Sequence, residues 1–373
     1  MKIVLVLYKY NIPLEDPCVY PLGFMYISAA LKEQGHDVKV LNYNLWDYNF
    51  EKEIDGWDTV MFTGFEEFGP AIIRDAGICK NKGIRTVVGG ALATFKPEDM
   101  IKYVDIVVVG EGEGTVDYSL RGDHIVLTSK KVNLDNMVLP DYEGFGIGEY
   151  HKRHKENYMG VLTSRGCPHH CTFCAQTCKF QMRNLNKVWA EIDEYKDKYG
   201  VKTIVFNDNT INTQKTRFVE LCKGMMDRKL KWGASIRVDN FDEEMAFWSK
   251  KSGCIYLVVG VESFDQDKLD RMNKNVKVSD IHKALILLNS YKIPYHGNVL
   301  VGFEWETYED IIREVKSIPT NSSIYPCFVY PFVGTQNGAS RNISNDQYAK
   351  LLIRFEKRIN SDGKYLYPVG GMA

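Results

Sequence analysis

The chain has 373 residues, a net charge of −1 and 25% charged residues, which is long enough for about two domains with well-buried cores. Its charge balance excludes a global nucleic-acid footprint and a surface-wide attraction to anionic membranes. There is no apolar run of roughly 18 residues, and the N-terminal apolar run is too short for a signal peptide, so the expected location is cytoplasmic, where nine cysteines, an odd number, stay reduced.

In chain order, Ile3–Leu7, Thr59–Gly64, Thr86–Gly90 and Asp105–Gly110 read as strands, and their continuous apolar runs predict burial on both faces. Residues 23–34 read as an amphipathic helix ended by Gly35, and Pro70–Lys80 as another before Gly83. The pattern predicts an open, doubly wound parallel sheet over residues 1–130. Ligands of such sheets lie beyond the carboxyl ends of the strands, where Gly64, Gly89, Gly90, Gly110, Gly112 and Gly114 collect. Either backbone approaches a ligand there, or the glycines only serve tight turns.

Residues 131–158 show no sustained period and read as an extended connector, with a short basic run at His151–Lys155 suited to a solvated loop or a phosphate contact. Strands then recur at Val161–Arg165, Thr203–Asp208, Gly233–Asp239, Tyr256–Ser263, His296–Glu304 and Tyr325–Phe332. Helical spacing links Val188, Ile192, Tyr195 and Tyr199 before Gly200, and Thr307 can cap a helix halted by Pro319. Six βα units in right-handed series predict a partial barrel over residues 159–335, followed at 336–373 by a short extension with a helix at Asn345–Arg358. Barrel active sites lie at the carboxyl ends of strands, which gives the loop after Arg165 the catalytic position.

That loop carries Cys167, Cys171 and Cys174 in a CxxxCxxC spacing. Three thiolates so close can each hold one iron of a cubic 4Fe-4S cluster and leave the fourth iron open for chemistry. Structural zinc would want a second CxxC knuckle, which the chain lacks. Here the chain resembles the radical S-adenosylmethionine (SAM) superfamily, whose open iron binds SAM through its amino and carboxylate groups. Phe173 matches the aromatic position of that pattern. Cys178 stands close by, but a fully ligated cube could not take SAM, so it reads as structural, and Cys327 reads as core.

The resemblance extends to other positions. Asn207, Asp208 and Asn209 follow the second barrel strand, where the family holds the amino end of SAM. Arg237 and Glu262 look like its ribose and carboxylate ligands; the plain alternative is a salt bridge between the two. Gly297, Val299 and Gly302, with Glu304 beyond, match the segment whose backbone meets the adenine, against a plain buried strand. Tyr330–Thr335 resembles the exit of strand six, close to substrate.

Pro21 and Gly23, the run with Gly89 and Gly90, and Gly110-Glu111-Gly112-Glu113 resemble the cobalamin-binding domain that precedes many radical SAM domains. The histidine motif DxHxxG is absent, which the resemblance permits because such members bind cobalamin without it. The alternative is a vestigial Rossmann-like domain that only packs on the barrel. Together the motifs resemble the cobalamin-dependent radical SAM methyltransferases, implying a 4Fe-4S cluster, SAM and cobalamin as cofactors, and a ferredoxin or flavodoxin as electron donor. The expected reaction is methyl transfer to an unactivated carbon of a protein or peptide side chain, as in the enzymes that modify arginine or glutamine of methyl-coenzyme M reductase. The alternatives are a small-molecule natural product as substrate, a radical SAM oxidoreductase or ring-forming enzyme, and a corrinoid carrier. Neither nucleic acid nor membrane is an expected partner.

Overall fold

Short runs of valine, isoleucine and leucine form the strands because only buried, extended backbone uses them fully. The computed structural model describes residues 1–10, 20–115, 125–128, 131–153, 157–176, 178–320 and 322–329, with 344, 347, 350 and 351. It divides into two compact units, the first ending at Asn157 and the second beginning at Tyr158. Tyr330–Thr335 and most of the expected C-terminal extension lie outside the described residues; of the expected helix at Asn345–Arg358 only 347, 350 and 351 are described, and they are helical.

The first unit contains β1 (Lys2–Leu7), β2 (Asp37–Asn42), β3 (Thr59–Thr63), β4 (Arg85–Gly89), β5 (Ile106–Val109) and β6 (Ile125–Thr128). All pairings are parallel, in the order β2-β1-β3-β4-β5-β6. The doubly wound sheet is as expected, with two additions. Both β2 and β6 are edge strands and mostly half-exposed, so their mixed composition, with Lys39 inside β2, hid them from a search for apolar runs. The winding reverses between β1 and β3, and a crevice opens at such a switch point beyond the carboxyl ends.

The segment expected as an extended connector is packed instead. A short helix, Ile147–Arg153, follows the turn at 141–146, and Tyr142, Phe145 and Tyr150 are at most 1% exposed. Asp141 ties the turn to the helix Leu22–Glu33 by accepting from Ser28 Oγ at 2.5 Å and pairing with Lys32 at 2.6 Å. Its apolar residues are too irregularly spaced to show a period, yet aromatic packing orders them: Phe24 meets Phe145, and Tyr20 meets Tyr142 and Tyr150.

The second unit contains β7 (Tyr158–Val161), β8 (Ser164–Arg165), β9 (Gln181–Met182), β10 (Thr203–Phe206), β11 (Lys231–Arg237), β12 (Cys254–Glu262), β13 (Tyr295–Val301) and β14 (Ile324–Phe328). Six strands form an all-parallel sheet in the order β14-β13-β12-β11-β10-β7, with helices between successive strands, the partial-barrel pattern expected. The run expected as one strand at Val161–Arg165 is shared: its start closes β7, and Ser164–Arg165 pairs antiparallel with β9. Thr307 caps its helix through a reciprocal capping box with Asp310, and Gly200 ends another in the left-handed conformation.

One sheet face is covered by helices and carries Ile236, Val259, Val261, Val299 and Val301, all at most 3% exposed. The inner face alternates with it and shows half-exposed Ser235, Val258, Gly260, Glu262, Asn298, Leu300, Tyr325 and Cys327. Register puts Arg237 beside Gly260, Val258 beside His296, and Leu300 beside Cys327.

Candidate functional site

The cysteine loop leaves β8 and returns in β9, so the two-stranded ladder forms its neck, Ser164 opposite Met182 and Arg165 opposite Gln181. Just inside the neck, Gly166 has φ +73°, and a Cβ there would stand 2.8 Å from the Cys178 carbonyl oxygen. Only glycine lets the two arms close. Below the neck, buried Asp208 accepts from Thr163 N at 2.7 Å, Thr163 Oγ1 at 2.6 Å and Ser164 Oγ at 2.5 Å, while its own burial pushes the carboxyl up. Arg183 Nη1 donates to the Leu162 carbonyl at 2.8 Å and Arg217 Nη2 to that of Thr163 at 3.0 Å. The backbone entering the loop is therefore held from three sides.

Cys167, Cys171 and Cys174 are free, half-buried thiols. Burial pushes the Cys174 thiol up to about 11, helped by the charges of Cys171 and Cys167, and pushes Cys167 up as well. Among the described residues no three metal-binding side chains close on one point; a cube of four irons needs a different arrangement, each thiolate taking its own iron. The donor set, three unpaired thiols on one loop, fits such a cluster. The far side of the loop rests on residues 272–274: Thr172 N donates to the Met272 carbonyl at 3.0 Å, and Asn273 Nδ2 to that of His170 at 2.8 Å.

In the first unit the rim of the crevice is backbone and aromatic rings. Gly90 has φ +83°, and a Cβ there would meet Thr63 Oγ1 at 2.5 Å, whereas a Cβ on Gly89 would meet only Val108, at 4.0 Å. Gly64 is covered by the Phe68 ring, which stacks on Tyr8, whose hydroxyl donates to buried Asp75 at 2.9 Å. Gly110, with φ +89°, donates its N–H to Thr94 Oγ1 at 3.1 Å and leads into the turn Gly112–Thr115 that also carries Glu113. Thr115 Oγ1 is buried with no hydrogen-bond partner among the described residues. Glu111 accepts from Val132 N at 3.2 Å, Gly23 faces open space, and Pro21 precedes the first helix. An orphaned hydroxyl and side-chain-free backbone at the strand ends fit a broad ring ligand such as a corrin.

Residues 161–318 match the Radical SAM superfamily, and residues 16–118 match the B12 binding domain. Over 356 residues the chain is 28% identical to the uncharacterized methyltransferase PH0819 of Pyrococcus horikoshii, covering 85% of this chain and 77% of that protein. It is 23% identical over 359 residues to the bacteriochlorophyllide d C-12(1)-methyltransferase of Chlorobaculum tepidum, covering 91% and 78%. The chain belongs to the cobalamin-dependent radical SAM methyltransferases. Its cofactors are a 4Fe-4S cluster, SAM and cobalamin. Its fold is shared with the radical SAM methyltransferase TsrM from Kitasatospora setae, solved with tryptophan substrate and a SAM analogue (TM-score 0.69, 15% identity, 90% of this chain and 74% of that one). Among the described residues no helix is long and apolar enough to cross a membrane.

The positions that the family resemblance assigned to SAM are differently disposed. No salt bridge joins Arg237 to Glu262. Arg237 is 5% exposed, forks onto Asp239 at 3.0 and 3.1 Å, donates to the Lys274 carbonyl at 2.7 Å, and brings Nη1 to 3.9 Å from Cys171 Sγ. Glu262 pairs with Lys274 at 2.9 Å and has φ +66°, a strained conformation for a side chain of its size. The Asp208 carboxylate is taken up by Thr163 and Ser164, while half-buried Asn207 keeps Oδ1 buried with no partner, and Asn209 is half-buried. On β13, Gly297 and Val299 face the helices; a Cβ on Gly297 would stand 2.5 Å from the Val259 carbonyl oxygen. Only backbone could reach a ligand from these two.

Gly302 N and Phe303 N both donate to the buried carboxylate of Glu306, at 2.6 and 2.9 Å, while Glu304 is exposed. The turn after β13 is thus organised by Glu306, two residues past the expected glutamate. Half-buried Cys178 contributes its carbonyl to the neck, and Cys327 is on the inner face, its thiol pushed up by burial and by Glu262. Sequence reading missed Lys274 and also His296, whose buried Nε2 has no partner among the described residues and whose burial pulls its pKa down. Alternation along β13 was the available signal for His296; Lys274, in a polar run, offered none.

Proposed function

We propose that Cys167, Cys171 and Cys174 hold the cluster, that the inner face of the second sheet receives SAM, and that the enzyme methylates an unactivated carbon of a small organic molecule. The observation that carries this reading is the loop itself: three free, half-buried thiols beyond the first strand of a parallel sheet, with the Arg237 guanidinium 3.9 Å from one sulfur. When bound, the cofactors supply a 5′-deoxyadenosyl radical from SAM and a methyl group from cobalamin. The chain's residues hold and orient. Asp208, Arg183 and Arg217 fix the entry to the loop, Gly166 lets it close, and residues 272–274 support its far side. Asn207 Oδ1, buried and unpartnered on the inner face, supports the expected contact there with the amino end of SAM. No conventional general base or nucleophile is called for, since the cofactors supply the reacting atoms.

The bacteriochlorophyllide methyltransferase named above favours a small molecule over the protein side chain expected from sequence. Anaerobic preparation with cobalamin, quantification of iron, sulfide and corrin, and product mass test the reading. A product heavier by one CH2 supports it, and turnover without mass gain would point to the oxidoreductase alternative.

A further inference from the structure

Lys274 belongs to the polar run Arg271-Met-Asn-Lys-Asn275 after a short helix, where a lysine is expected to be solvated. It is 5% exposed. Two left-handed residues, Asn273 and Asn275 with φ +50° and +54°, flank it and turn it inward. Its backbone N–H donates to the Leu269 carbonyl at 3.0 Å, and its own carbonyl accepts from Arg237 at 2.7 Å. The ammonium reaches the inner face of the sheet, where Gly260 makes room: a Cβ on that glycine would stand 2.9 Å from Nζ.

Around this buried charge the surroundings are specific. Glu262 Oε1 accepts at 2.9 Å and is the one hydrogen-bond partner of Nζ among the described residues, so an ammonium with three N–H bonds keeps donors to spare. Nζ stands 5.8 Å from the ring of Phe173, between the second and third loop cysteines. The Lys274 carbonyl also holds the Arg237 guanidinium, whose Nη1 stands 3.9 Å from Cys171 Sγ. A buried ammonium with spare donors is costly unless an acceptor meets it. A cluster bound by three thiolates is such an acceptor, negative and edged with sulfur.

We propose that Lys274 is a positioning and tuning residue for the cluster, its ammonium facing the cysteine loop and raising the reduction potential, with Glu262 as the counter-charge that limits the effect. The inference rests on the assignment of the cluster to Cys167, Cys171 and Cys174. Reduction adds a negative charge to the cluster, so a nearby fixed cation favours the reduced form and a nearby carboxylate disfavours it. The strained backbone of Glu262 fits a residue kept in place for its charge.

The test is an EPR-monitored redox titration of the reconstituted protein without SAM, with iron measured on each sample. Wild type without iron would overturn the cysteine assignment itself. With iron present, Lys274→Met is expected to lower the reduced-to-oxidised ratio at a fixed poise about tenfold, which for a one-electron couple is about 59 mV. Glu262→Gln is expected to shift the ratio the opposite way, and Lys274→Arg to stay near wild type. Should Lys274→Met fail to load iron, Glu262→Gln decides, since its upward shift requires an uncompensated cation at the cluster. An unchanged potential in iron-loaded Lys274→Met, shifts of the same sign in the Met and Gln variants, or an unchanged potential in Glu262→Gln would overturn the proposal.

Discussion

The two units use the same kind of parallel sheet, yet the residues at their strand ends differ in kind. The first offers Gly89, Gly90 and Gly110 with the rings of Tyr8 and Phe68, and the Glu111 carboxylate there is turned to backbone. The second surrounds its cysteine loop with buried charged side chains, Asp208, Arg237 and Lys274. A corrin is broad and needs room for its ring. A cluster and SAM are compact and charged, and need counter-charges held still. One scaffold serves both because sheets fix where backbone ends, and loops decide what is placed there.

The sharpest break of this comparison is removal of the ions' object. Replacing Cys167, Cys171 and Cys174 together by alanine is expected to abolish iron binding and SAM cleavage while far-UV circular dichroism stays that of wild type; retained iron would refute the assignment. Next in size is the clamp under the neck. Asp208→Ala leaves the Thr163 N–H and two hydroxyls without their acceptor and is expected to cost about 3 kcal/mol in denaturant unfolding, against about 1 kcal/mol for Asp208→Asn, which keeps one acceptor. Equal losses would show that the charge, not the hydrogen bonding, matters.

Glycines should separate the units. Gly166→Ala and Gly90→Ala both force a side chain onto left-handed backbone and into contact, each costing about 1–3 kcal/mol; Gly166→Ala should lower iron loading and Gly90→Ala should not. Gly89→Leu, in extended backbone with space beside it, is expected to keep stability within about 0.5 kcal/mol yet to weaken corrin binding, read by the corrin spectrum after desalting.

The smallest expected effect concerns pH. Burial holds the His296 pKa below its unfolded value of about 6.5. Its stabilising contribution is therefore complete above that value and is lost as pH falls through it, because only the unfolded chain takes up the proton. Between pH 7.5 and 5.5, wild type should lose up to about 1 kcal/mol more than His296→Phe, as measured by urea unfolding.

The interior strands and glycine-ended helices were legible because burial on both faces leaves continuous apolar runs and because Gly35, Gly83 and Gly200 each take the left-handed turn expected of them. The edges β2 and β6 were not, since half-exposed strands accept lysine and threonine. The cysteine loop could be located from spacing alone, and its three thiols are free and half-buried there. Their neighbours could not: Asp208 looked like a ligand residue because its strand-end position was visible and its hydroxyl partners were not. Lys274 looked like solvent-facing lysine because inward turning depends on Asn273 and Asn275. The aromatic segment at 141–153 lacked periodicity because its order comes from packing on another helix, a long-range fact that no local window contains.

The neck made by Gly166, β8 and β9 has a practical consequence. Since the loop is closed by its own backbone and anchored at Thr163 and Met272, part of the socket's shape is set by the chain itself, and damage to the neck should be read as poorer iron loading even with all three cysteines present.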